Sequence, residues 1–130
     1  MDNRLYIPAT PDTPEVDFDF DACHLCLRGE SYPESAVSFY HDILERTREF
    51  LDACKETEVQ VTIELKYFNS SSTKMLFNLV DLLNYSIVRG NHVRLNWIHD
   101  EEDETILEFG QELAEDFPDI DFRAMPTQAL

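Results

Sequence analysis

The chain is predicted to fold as α/β, with a single small mixed sheet and three main helices, and three observations carry that prediction. Runs that alternate apolar and polar residues, the period of a half-buried strand, are separated by longer runs with apolar residues at three- and four-residue spacing, the period of an amphipathic helix. Their order reads ββαβαβα with a last short strand, and right-handed crossovers make the later neighbours parallel, with helices on one or both faces. A length of 130 residues suits one domain, 1–130, and a hydrophobic fraction of 43% with nine Phe, five Tyr and one Trp supplies a core.

Taken in order, residues 1–15 carry Pro8, Pro11 and Pro14 with two Thr-Pro pairs, which predicts an extended N-terminal arm. Val16, Phe18 and Phe20, then Cys23, Leu25 and Leu27, alternate on either side of a break at Asp21 and Ala22, as in a hairpin. Ser31-Tyr-Pro-Glu34 matches a capping box with Pro in the first turn, so a helix is expected to start there. Val37, Tyr40, Ile43, Leu44, Thr47, Phe50, Leu51 and Cys54 extend its apolar stripe to about residue 55. Val59, Val61, Ile63, Leu65 and Tyr67 then alternate with Gln60, Thr62, Glu64 and Lys66 as a strand.

A second helix carries Met75, Leu76, Leu79, Leu82, Leu83 and Ile87 and ends at Gly90, a natural left-handed cap. Val93, Leu95 and Trp97 mark the next strand. The acidic run from Asp100 to Glu104 opens a third helix with Ile106, Leu107, Phe109, Leu113, Ala114 and Phe117, which Pro118 stops. Ile120 to Ala124 supply the last short strand.

Charge and composition narrow the function. Ten Lys and Arg against 27 Asp and Glu give a net charge of -17, a field that repels nucleic acid and anionic lipid, so neither is expected as a partner. From Asp100 to Asp121 there are eleven acidic residues and no basic one, read as a solvated helix face, with docking of a basic partner as the alternative. No apolar stretch approaches the roughly 20 residues that span a bilayer, and three cysteines leave one unpaired, which suits the cytoplasm. Cys23-His-Leu-Cys26 has CxxC spacing but no second ligand pair, and His24, His41, His92 and His99 lie in different elements. The only glycines, Gly29, Gly90 and Gly110, form no phosphate loop, so neither a metal nor a cofactor is expected.

The candidate site is the stretch YFNSSSTKML, Tyr67 to Leu76, where Asn69 and four consecutive hydroxyl residues, Ser70 to Thr73, open the second helix. One cap would satisfy the free N–H groups there; the surplus admits a regulatory hydroxyl. A phosphate on Ser70 would meet the helix dipole, with Lys74 one turn on, and add a charge of about -1.5 to -2. A nucleophilic serine enzyme would need a positioned base, and no G-x-S-x-G elbow or neighbouring His is present. A partner that senses Ser70 must cover this turn, which makes Asn69, Ser70, Ser71, Lys74 and Asn78 the candidate contact residues.

GESYPES (Gly29 to Ser35), VQVTIELKYFNSSSTKML (Val59 to Leu76), DLL (Asp81 to Leu83), VRLNW (Val93 to Trp97) and the opening IPATPDTPEV together resemble the SiaC family of bacterial regulatory phosphoproteins over nearly the whole chain. The resemblance implies a fold similar to the STAS-type anti-sigma factor antagonists and no catalytic activity. It also implies a hydroxyl that a serine/threonine protein kinase modifies and a PP2C-type phosphatase restores. It further implies that the unphosphorylated form binds and activates a diguanylate cyclase, raising cyclic di-GMP and favouring aggregation or biofilm growth. The family's modified residue follows the Asn of the motif, which places it at Ser70, with Ser71, Ser72 and Thr73 as crowded alternatives. Ser70 stands where a Thr is expected. Asn69 stands where antagonists of sigma-factor regulators commonly carry Asp, which favours the SiaC-like branch over an anti-sigma antagonist, the alternative reading.

Overall fold

The computed structural model describes residues 3–128. Its elements run β1 (Arg4–Ile7), β2 (Glu15–Asp19), β3 (His24–Ser31), α1 (Ala36–Ala53), β4 (Glu58–Phe68), α2 (Ser70–Ile87), β5 (His92–Asp100), α3 (Glu104–Asp116) and β6 (Asp121–Thr127). All six strands form one sheet in the order β1-β2-β3-β4-β5-β6. The first three are antiparallel neighbours, and β3 to β6 are parallel. Each crossover steps in the same direction, and right-handed crossovers of that kind stack their helices on one face.

Side-chain burial follows from that layering. Leu25, Leu27, Val59, Val61, Ile63, Leu65, Val93, Leu95 and Trp97 are buried beneath the helices, where they meet Tyr40, Ile43 and Leu51 of α1 and Leu76, Leu79 and Leu83 of α2. Trp97 donates its indole N–H to the Ile106 carbonyl of α3 at 3.0 Å. The opposite face is polar and carries ion pairs between neighbouring strands: Arg4 with Asp17, Arg28 with Glu64, and Arg94 with Asp121. Along its middle, Thr62 Oγ1 lies 3.2 Å from His24 Nε2 and accepts the Asn96 side-chain N–H at 3.5 Å. Gly90 closes α2 with φ of 94°, in the left-handed region, and its N–H bonds the Ile87 carbonyl at 2.9 Å.

Four local expectations differ from what is observed. The first helix does not start from a capping box at Ser31. Ser31 ends β3, paired with Phe68, and Ser35 is the N-cap, accepting the Ser38 N–H at 3.2 Å. Its buried stripe is Ala36, Tyr40, Ile43, Thr47 and Leu51, and Val37, expected on that stripe, is 66% exposed. Tyr67, expected to face inward, is 50% exposed, because the β3–β4 register shifts at Gly29/Glu30 and skips Lys66. Part of the extended arm, Arg4–Ile7, is strand β1 on the sheet's edge, with Leu5 and Ile7 packed against the core.

Candidate functional site

The hydroxyl cluster sits where β4 hands over to α2, beside the ends of β3 and β5. Asn69 is the N-cap: its Oδ1 accepts the Ser72 N–H at 2.9 Å, and its own N–H donates to the Ser31 carbonyl at 3.1 Å. Asn and Ser are equally good caps by type. Here the extended backbone of Asn69 (φ -92°, ψ 175°) places it, and not Ser70, in that role.

The four hydroxyls then separate into different environments. Ser70 is exposed and its hydroxyl makes no hydrogen bond among the described residues; Ser71 is also exposed. Thr73 is half-buried and donates to the Ser70 carbonyl at 2.6 Å. Ser72, one of the alternative positions for modification, is fully buried and points inward, with its Oγ 2.7 Å from Ser31 Oγ. Ser31 Oγ lies a further 2.7 Å from Tyr40 Oη. Burial pushes the Tyr40 phenol up to about 12, the hydrogen bond from Ser31 opposing only part of that rise.

Electrostatics distinguish this turn from the start of α3. The first turn of α2 contains no acidic residue, whereas α3 opens with Glu104 behind an Asp103 cap. Lys74 is exposed and has no ion pair among the described residues, so the positive end of the α2 dipole is reinforced and not cancelled. Asn78, one turn beyond Lys74, is half-buried. Of the candidate contact residues, Ser70, Ser71 and Lys74 are thus exposed at the helix start, whereas Asn69 and Asn78 are half-buried.

Two neighbouring features escaped the sequence reading. Tyr32 and Tyr67 meet edge-on at 5.6 Å between ring centres, both largely exposed, and flank the turn from the ends of β3 and β4. The Ser31–Tyr40–Ser72 cluster carried a signal that was overlooked: Ser72 precedes Met75, Leu76, Leu79 and Leu83 at helical spacing, which puts it on the buried stripe. A cleft of about 510 Å³ lies at the ends of β4, β5 and β6, lined by Glu64, Lys66, His99, Asp100, Asp103 and Thr127. None of the residues of the Asn69–Lys74 turn lines it.

Elsewhere the chemistry is quiet. Among the described residues no group of three His, Cys, Asp or Glu could hold a metal ion, and no helix is long and apolar enough to cross a membrane. Burial raises the thiols of Cys23, Cys26 and Cys54, which keeps them protonated and poorly nucleophilic.

Comparison with known proteins places this arrangement among relatives. The chain matches the family model described as SiaC family regulatory phosphoprotein over residues 7–127. An uncharacterized protein of Pseudomonas aeruginosa (strain UCBPP-PA14) is 32% identical over 112 residues, 86% of this chain and 88% of that protein. The structure of apo-SiaC from Pseudomonas aeruginosa superposes with a TM-score of 0.85 at 29% identity, over 94% of this chain and 98% of that one. A chain in the crystal structure of the diguanylate cyclase SiaD in complex with its activator SiaC, from the same species, gives a TM-score of 0.87 at 30% identity, covering 95% and 99%.

Proposed function

Given that the chain belongs to the SiaC family of regulatory phosphoproteins, we propose that it is a non-catalytic, single-domain switch controlled by phosphorylation of Ser70. Unphosphorylated, it binds and activates a diguanylate cyclase; phosphorylated, it does not. A serine/threonine kinase and a PP2C-type phosphatase set the balance, and the output is the level of cyclic di-GMP and with it biofilm growth or aggregation. The activator role is supported by the similar SiaC chain in complex with a cyclase.

The observation that carries the site assignment is the division of labour in the first turn of α2. Asn69 caps, Ser72 is buried, Thr73 is bonded to the backbone, and Ser70 is exposed and unbonded. A phosphate there gains the helix dipole and the Lys74 charge without disturbing the cap. It also places about two negative charges at the centre of the partner contact, where an unpaired buried charge costs several kcal/mol and lowers occupancy by orders of magnitude.

The test is binding of the purified cyclase to unmodified protein and to protein carrying genuine phosphoserine at position 70. Tight binding and cyclic di-GMP synthesis with the first, and loss of both with the second, are expected. Equal binding by the two forms would refute the switch. Co-purification with an anti-sigma factor in place of a cyclase would move the chain to the alternative pathway.

A further inference from the structure

Resting on the reading of Ser70 as the switch, we propose that Ser31, Tyr40 and Ser72 are its positioning residues. They form a buried chain of hydroxyls that clamps the first turn of α2 to β3 and α1, so that Ser70 and Ser71 are presented to partners in one fixed geometry. All three side chains are fully buried. Ser31 Oγ lies 2.7 Å from both Tyr40 Oη and Ser72 Oγ, which joins the end of a strand to two helices through one atom.

The backbone closes this chain into a ring. The Ser31 carbonyl accepts the Asn69 N–H at 3.1 Å, Asn69 Oδ1 accepts the Ser72 N–H at 2.9 Å, and Ser72 Oγ returns to Ser31 Oγ. Ser70 and Ser71 are the two residues that the ring spans. Their side chains make no hydrogen bond among the described residues, while the backbone on either side of them is held.

A packing role alone does not account for hydroxyls at these positions. Apolar side chains would fill the same space without the desolvation that three polar groups incur in a dry site, and apolar contact is not directional. Hydrogen bonds restrain direction as well as distance. The two other buried hydroxyls on helices behave differently: Thr47 and Ser86 bond to carbonyls of their own helices, Ile43 and Leu83, while Thr62 links neighbouring strands within the sheet. Because Tyr40 keeps its proton far above neutral pH, the chain is a constant of the fold and not a pH sensor.

The experiment compares Tyr40→Phe and Ser72→Ala with Ser86→Ala, which removes a buried hydroxyl at the far end of the same helix. Amide hydrogen exchange is followed in the full chain, together with binding of the unmodified protein to the purified diguanylate cyclase. The two clamp variants are expected to exchange the amides of Asn69, Ser72 and Thr73 roughly tenfold faster and to bind the cyclase more weakly. Ser86→Ala, even with a similar loss of Tm, is expected to leave both unchanged. First-turn exchange no faster in the clamp variants than in Ser86→Ala would overturn the proposal. A wild-type protein that binds no cyclase, with the turn still loosened in both clamp variants, upholds the clamp and refutes the cyclase reading by itself.

Discussion

Capping and switching fall on adjacent residues, so substituting each one separates stability from regulation. Asn69→Ala removes the side-chain acceptor of the Ser72 N–H, a bond of 2.9 Å, and loss of such a cap costs about 1 kcal/mol. Unfolding entropy near 2.1 cal/mol/K per residue gives about 0.27 kcal/mol/K for 130 residues, so Tm falls by about 4 °C. Ser70→Ala removes a hydroxyl with no hydrogen bond, and Ala is the better helix former, so the change runs from nothing to a gain of about 0.5 kcal/mol. Neither variant unfolds the protein, because each large apolar residue buried on the α2 stripe contributes roughly 1.5–3 kcal/mol. Thermal and urea unfolding measure the two stabilities, and calorimetric titration with the cyclase measures binding. Ser70→Ala is expected to bind like the unmodified wild type and to ignore the kinase. If Ser70→Ala destabilised as much as Asn69→Ala, Ser70 would be the working cap and the division of labour in this turn would be wrong.

Five further outcomes are expected. Lys74→Glu puts a negative charge one turn from Ser70 and should weaken the cyclase complex, whereas Lys55→Glu, just beyond the far end of α1, should not; equal effects would locate the contact elsewhere. Tyr40 is protonated in both folded and unfolded chains below its ordinary value of 10.0, so its contribution is intact there. As pH rises towards about 12 the unfolded chain ionises first, and stability falls by about 2–3 kcal/mol in total. Urea unfolding of Tyr40→Phe should lack that part of the alkaline decline, and superimposable pH profiles would contradict the burial argument. In Gly110→Ala the new Cβ would stand 2.6 Å from the Trp97 ring, so a loss of about 1–3 kcal/mol and altered tryptophan fluorescence are expected despite Ala's better helix propensity. Asp103→Ala removes the α3 cap, which accepts the Ile106 N–H at 3.1 Å, and should cost about 1 kcal/mol. Glu101→Gln and Glu102→Gln, on exposed turn residues, should each change unfolding free energy by less than about 0.5 kcal/mol.

The elements that were legible in the sequence are those whose signal is local. β4 and α2 show clean periods of two and of about 3.6, and the stop of α2 at Gly90 needs only one glycine. The start of α1 was misplaced because Ser31-x-x-Glu34 is a local pattern. Nothing near it reveals that Ser31 pairs with Phe68 and bonds Ser72, 41 residues on. Tyr67 was turned inward by extrapolating an alternation that the register shift at Gly29/Glu30 interrupts. The junction itself was found as a cluster of hydroxyls, since residue type is visible in sequence. Their division into an exposed Ser70 and a buried Ser72 required knowing which side of the helix meets the sheet. The helical spacing of the apolar residues contained that information for Ser72. For Ser31 and Tyr40 it did not, because their meeting depends on tertiary contact alone.

The strand order β1-β2-β3-β4-β5-β6 has a consequence for how the chain acquires its structure. Strand order and chain order coincide. Each new strand therefore joins an edge already present, and none has to be threaded between two that are paired. A polypeptide leaving the ribosome from its N-terminus can extend such a sheet as it emerges, helix by helix, with each intermediate exposing one unfinished border. The residues that fix the junction, Ser31, Tyr40 and Ser72, all lie in the first 72 positions, so their hydroxyls are available to meet before β5 and β6 have been made. Translation then proceeds through Trp97 and α3 to β6, which closes the far border of the sheet last.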